Sequence, residues 1–185
     1  MDDLILNAEQ KTFLLNLARD TIKAWLSERK RPDPQVDDPI LQTACGAFVT
    51  LNTKSGDLRG CIGHVVAKTP LYRTVIDCAI SAACQDPRFP PLKLEELDDV
   101  TIEISALSPL REIGSPGDIE VGKHGLMITK GFFKGLLLPQ VGERYKWDAE
   151  TFMEHTCMKA GLPGDAWRSG ATIEVFSALV FGEKD

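Results

Sequence analysis

Seven consecutive residues, Leu58-Arg59-Gly60-Cys61-Ile62-Gly63-His64, bring together a guanidinium, a thiol, two glycines and an imidazole. A thiol held beside a fixed positive charge ionises more readily, and the thiolate is the nucleophile. Arg59 is the cation nearest Cys61. Residues two apart on a strand point to the same face, so the pair would share one. Gly60 and Gly63 let the backbone approach a ligand without a Cβ in the way. His64 and His124 are the bases within chemical reason. His124 lies in Gly122-Lys123-His124-Gly125, a context that suits a loop, and it is the better general acid or base. Arg88, carried on Asp86-Pro87-Arg88-Phe89-Pro90-Pro91, suits an anion contact, and Gln140 after Pro139 presents an amide.

Several readings of Cys61 stay open on residue types alone. It is a nucleophile, a buried strand cysteine of the usual inert kind, or part of an anion site built from Arg59, Arg88 and glycine-flanked amides. A zinc site with His64, His124 and Cys45 or Cys157 is the weakest, because Cys-x-x-His lacks a second closely spaced ligand pair. No metal and no cofactor is therefore expected. The chain carries no Walker loop, no G-x-S-x-G, no H-E-x-x-H and no dinucleotide fingerprint.

The elements that must position these residues follow from periodicity and punctuation. Asn7 to about Lys30 predicts a helix, with Asn7 and Gln10 as a capping box and Phe13, Leu14, Leu17, Ile22, Trp25 and Leu26 on its apolar side. Arg31-Pro32-Asp33-Pro34 ends it and opens an extended connection. Cys45–Leu51 and Leu58–Ile62 read as a hairpin, with the opening motif on its second arm. Thr69 and Pro70 read as cap and first residue of a buried helix reaching about Gln85. After the stiff proline loop, a short helix near Leu92–Leu97 precedes an alternating strand, Val100–Leu107. Leu126–Thr129 and Gly135–Leu138 form a second hairpin that Pro139-Gln140-Val141-Gly142 terminates. Asp148 caps a helix to about Ala160, with Trp147 and Phe152 as a hydrophobic staple, and Ala171–Phe181 is a final strand. No βαβ rhythm appears, so the fold class is α+β with a mainly antiparallel sheet.

At 185 residues the chain suits one domain or two small lobes, and 43% hydrophobic with 26% charged residues is ordinary for a soluble globular protein. A net charge of -6 argues against a general nucleic-acid binder. No apolar run has the length of a membrane span, and the acidic Met1-Asp2-Asp3 start is unlike a secretory signal. The five cysteines are odd in number and irregularly spaced, which reads as reduced thiols in a cytoplasmic protein.

Leu58-Arg59-Gly60-Cys61-Ile62-Gly63 resembles the hallmark of the AMMECR domain family, the protein A component of the AmmeMemoRadiSam system. Asp86-Pro87-Arg88-Phe89-Pro90-Pro91-Leu92 resembles the family's second signature. Leu107-Ser108-Pro109-Leu110, Gly122-Lys123-His124-Gly125, Gly135-Leu136-Leu137-Leu138-Pro139-Gln140-Val141, Trp147-Asp148 and Cys157-Met158-Lys159-Ala160-Gly161-Leu162 follow in family order. The resemblance covers nearly the whole chain, as a single AMMECR-type domain over 1–185. It implies a larger and a smaller lobe with the hallmark facing a cleft between them, and association with a Memo-like protein and a radical S-adenosylmethionine protein. It implies no settled reaction. The family usually has threonine where His64 stands, which favours His124 as the acid or base. The family also usually keeps an acidic residue about three before Trp147; Glu143 and Arg144 leave its counterpart here unclear. The expectation is an enzyme working on a small molecule with Cys61, Arg59 and His124 as catalytic residues and Arg88, Gln140, Gly60 and Gly63 as substrate contacts. The alternative is a non-catalytic partner or carrier for the two associated proteins.

Overall fold

The computed structural model describes residues 4–66 and 68–183. The acidic start and the last two residues of the polar tail lie outside the described residues. The chain divides into two compact units. The larger comprises Leu4–Leu107 and the chain from Leu179 onward; the smaller is Ser108–Ala178.

In the larger unit α1 (Ala8–Glu28) begins at Asn7. The Asn7 side chain accepts the Gln10 N–H at 2.8 Å, and Gln10 Oε1 accepts the Asn7 N–H at 2.9 Å. This is the reciprocal cap that the sequence pattern predicts. The helix stops at Arg29, whose φ of 55° is left-handed, so it ends before the prolines are reached. Leu14, Leu17, Ala18 and Ile22 are buried, whereas Phe13, expected on the same side, is 37% exposed. Adjacent helical residues diverge by about 100°, which carries Phe13 off the buried stripe.

Strands β1 (Ala47–Thr53), β2 (Leu58–His64) and β3 (Val100–Leu107) form an antiparallel sheet in the order β2-β1-β3. One face is buried: Ala47, Val49, Leu51, Ile102, Ile104 and Ala106 join side chains of α1 and of α2 (Leu71–Cys84) in one core. Burying each large aliphatic chain contributes about 1.5–3 kcal/mol, so this face fixes the register. Pro70 takes the cap position of α2; Thr69, expected there, meets Thr74 Oγ1 at 3.0 Å instead. The short helix after the proline loop is a 3-10 turn, Leu94–Asp99.

The smaller unit contains β4 (Arg111–Glu112), β5 (His124–Lys130), β6 (Phe133–Leu137), α3 (Pro139–Tyr145), α4 (Ala149–Lys159) and β7 (Thr172–Gly182) as far as Ala178. Its strands are antiparallel in the order β6-β5-β7-β4. Leu126, Ile128, Phe152, Met153, Cys157, Ile173 and Val175 form its core. Asp148 caps α4 by accepting the Thr151 N–H at 2.8 Å, and the Trp147 and Phe152 rings lie 6.3 Å apart as a staple. The β5–β6 hairpin ends before Pro139, as expected, because β6 stops at Leu137; that Pro139 also opens a helix was not expected. Pro139 occupies the first turn of α3, where its missing N–H removes no helical bond. The remaining residues of β7 belong to the larger unit, where Glu183 accepts the Ile102 N–H at 2.8 Å and pairs with Arg19 at 2.6 Å. The class is α+β with antiparallel sheet, as the sequence implies.

Candidate functional site

β2 is the outer strand of its sheet, so alternate residues present unpaired N–H and C=O groups at its edge. At Cys61 that edge is closed by the loop after α2. Asp86 accepts the Cys61 N–H at 2.8 Å, and Arg88 Nη2 donates to the Cys61 carbonyl at 3.3 Å. The two side chains also bind each other: Arg88 Nε reaches Asp86 Oδ1 at 2.9 Å and Nη2 reaches Oδ2 at 2.7 Å, while the Arg88 N–H donates to Oδ1 at 3.0 Å. Asp86 is only 4% exposed, and its carboxylate is met by four donors. The Arg88 guanidinium, then the Cys61 and Arg88 amides, hold its carboxyl well below the usual carboxylate range. The Arg88 side chain is 54% exposed and closes the edge from outside.

The Cys61 side chain lies on the sheet face opposite the core. Thr50 is its direct partner on β1, and Glu103 is the partner of Thr50 on β3. Because the Cys61 amide points outward, Cys61 and Thr50 form a non-hydrogen-bonded pair, the kind that brings side chains closest. The Thr50 hydroxyl donates to Cys61 Sγ at 3.2 Å. A thiol, a hydroxyl and a carboxylate thus stand in a row across three strands, all half-buried.

Arg59 is the extra residue of a β-bulge, since the register slips by one between Gly60 and Leu58. Its guanidinium reaches the Glu96 carboxylate at 3.3 Å and the Pro90 carbonyl at 3.1 Å, and lies 6.0 Å from the Phe89 ring centre. Glu96 is held below its ordinary range by the Lys93 amide it accepts and then by Arg59. Arg59 therefore ties β2 to the proline loop. The glycines of the motif are explained by close packing. A Cβ on Gly60 would collide with the Ala82 carbonyl of α2, and one on Gly63 with the Phe48 ring and the Ala47 carbonyl. His64 is exposed at the end of β2.

His124 and Gln140 belong to the smaller unit. His124 opens β5, and its Nδ1 accepts the Glu120 N–H at 3.0 Å, which places the proton of the neutral ring on Nε2. Gln140 is exposed in the first turn of α3. All five cysteines are unpaired. Burial pushes the Cys45, Cys84 and Cys157 thiols up and the Cys78 thiol up to about 12. Among the described residues no three His, Cys, Asp or Glu side chains gather as a metal ion requires, and no helix is long and apolar enough to cross a membrane.

The profile of the AMMECR1 family matches residues 15–181. The chain belongs to the AMMECR1 family. Among AMMECR1 relatives, Protein Mbar_A1807 of Methanosarcina barkeri is 46% identical over 180 residues, covering 92% of this chain and 89% of that one. Protein PF1979 of Pyrococcus furiosus is 43% identical over 183 residues, covering 93% and 87%. The crystal structure of an uncharacterized protein, PH0010 from Pyrococcus horikoshii, superposes with a TM-score of 0.83 at 41% identity, covering 97% of this chain and 94% of that one. In this AMMECR1 chain the sequence alone did not single out Asp86, Thr50, Glu96 or Glu103. Asp86 was legible only as part of a proline-rich loop. Thr50 and Glu103 could have been found by aligning β1 and β3 on the period-two pattern, which puts them on the face of Cys61.

Proposed function

We propose that this AMMECR1 protein carries out thiol-dependent group transfer on a small anionic molecule, with Cys61 as nucleophile. The observation that carries the reading is the Thr50 hydroxyl donating to a half-buried Cys61 sulfur at 3.2 Å, on a strand whose edge is locked by Asp86 and Arg88. A nucleophile needs a fixed position before it needs a strong base, and the clamp supplies that. Arg88, whose side chain is 54% exposed with its guanidinium beside the Cys61 carbonyl, is the anion contact. Arg59 acts by positioning the proline loop. Gly60 and Gly63 serve by letting β2 pack closely, which narrows their expected role as direct substrate contacts.

The test is intact-mass spectrometry after exposure to acyl thioesters with and without an acidic group. The reading predicts a single adduct on Cys61, faster with the acidic donor, abolished in C61A and slowed in R88A. Adducts spread over Cys61 and Cys84 alike, or none at all, would contradict it. The latter result favours the carrier or partner role for a Memo-like protein and a radical S-adenosylmethionine protein.

A further inference from the structure

Two of the apolar exposures outside the thiol centre complement each other in shape and charge. The first is the tip of the β5–β6 hairpin. Lys130 pairs with Phe133, leaving Gly131 and Phe132 as the two turn residues, and Gly131 has a φ of 58°. Glycine at the first central position of a two-residue hairpin gives a tight, rigid turn. The turn leaves Phe132 fully exposed at the apex and Phe133 54% exposed beside it. Lysines flank the pair: Lys130 donates to Ser169 Oγ at 3.0 Å, and Lys134 is exposed. The tip is therefore an aromatic knob between two cations.

The second is a pocket of about 290 Å³ beside α1, in the larger unit. Phe13, Val36 and Leu41 give it an apolar floor, and Glu9, Asp37 and Asp38 surround it. The floor includes the ring that helical periodicity would have sent to the core. Asp38 is fixed there by Gln10 at 2.9 Å and by the Ile40 and Leu41 amides, which keep it ionised by holding its carboxyl below the usual range. Glu9 and Asp37 are exposed and make no ion pair among the described residues. A cavity of about 150 Å³ admits benzene, so this pocket has room for a phenyl ring.

We infer that the Phe132 knob of one copy seats in the acidic-rimmed pocket of a second copy of this chain. Shape and charge agree: an aromatic ring between two lysines meets an apolar floor ringed by three carboxylates. The contact joins two different patches, so it is head-to-tail and propagates instead of closing as a symmetric pair. Two phenylalanines bury about 150–250 Å² each, well short of the roughly 1,200 Å² of a stable interface. The association is accordingly weak, concentration-dependent and weakened by salt.

Sedimentation equilibrium of the full chain, from micromolar to near-millimolar, tests this. Wild type should rise continuously in average mass with concentration. F132S, and separately E9K/D37K, should each stay monomeric; all three positions are exposed, so both variants keep the fold. Mixing the two variants should restore association that stops at a dimer, because only one intact knob and one intact pocket remain per pair. A monomer throughout, a mass rise untouched by F132S, or no recovery on mixing would each overturn the inference.

Discussion

Asp86→Ala is the perturbation that most directly tests how the thiol strand is held. The carboxylate accepts the Cys61 N–H at 2.8 Å and the Arg88 N–H at 3.0 Å, and takes the Arg88 guanidinium in two places. A hydrogen bond to a charged group contributes about 1.5–3 kcal/mol, and the lower end applies here because water can enter the vacated edge. The guanidinium is half-exposed and adds no more than about 1 kcal/mol. The expected loss is about 3 kcal/mol, or roughly a 1 M drop in urea midpoint at unchanged slope. Arg88→Ala should cost less, about 1 kcal/mol, since the carboxylate would keep both amide donors. The folded pKa of Asp86 is depressed. Its contribution is therefore complete above the ordinary carboxylate range, about pH 4, and is lost as pH falls below that. Asp86→Asn should flatten this part of the acid limb. A D86A midpoint within error of wild type, or an acid limb identical in D86N, would refute the idea that this carboxylate locks the β2 edge.

Other outcomes follow from the same geometry. Gly60→Ala should destabilise by about 1–3 kcal/mol in thermal melts, because the added methyl meets the Ala82 carbonyl, which is backbone and cannot swing aside. Thr50→Val keeps the shape but removes the donor to Cys61 Sγ. It should slow Cys61 alkylation by freeing the sulfur from its fixed position, with Thr50→Ser restoring the wild-type rate. Cys78, pushed up to about 12 by burial, should stay unlabelled at pH 8 (the pH of the labelling buffer, about the free-thiol range) until the protein unfolds, as followed by peptide mass spectrometry against urea.

Much of the architecture was legible because it rests on local rules. The Asn7–Gln10 cap, the Asp148 cap, the Val100–Leu107 alternation and both hairpins are written in spacing and turn chemistry. What was not legible depends on partners far along the chain. Asp86 is read from sequence as the start of a proline loop; only the return of that loop along β2 makes it the acceptor for Cys61. Gly60 and Gly63 look like ligand-approach glycines, yet α2 and Phe48 fill the space above them. Arg59 looks like the cation for the thiol, but the bulge directs it to Glu96 and Pro90. Pro139 reads as the end of the second hairpin and is so, since β6 stops at Leu137; that it also opens α3 depends on the packing that follows.

The central claim is that Cys61 is a positioned, reactive thiol. Competitive alkylation of the native chain with a limiting isotope-coded reagent, read peptide by peptide, measures it directly. The account predicts that Cys61 is labelled first, well ahead of Cys84 and of the buried Cys45, Cys78 and Cys157, and that the preference weakens in T50V. Labelling of Cys61 no faster than Cys84 in the folded protein would contradict it.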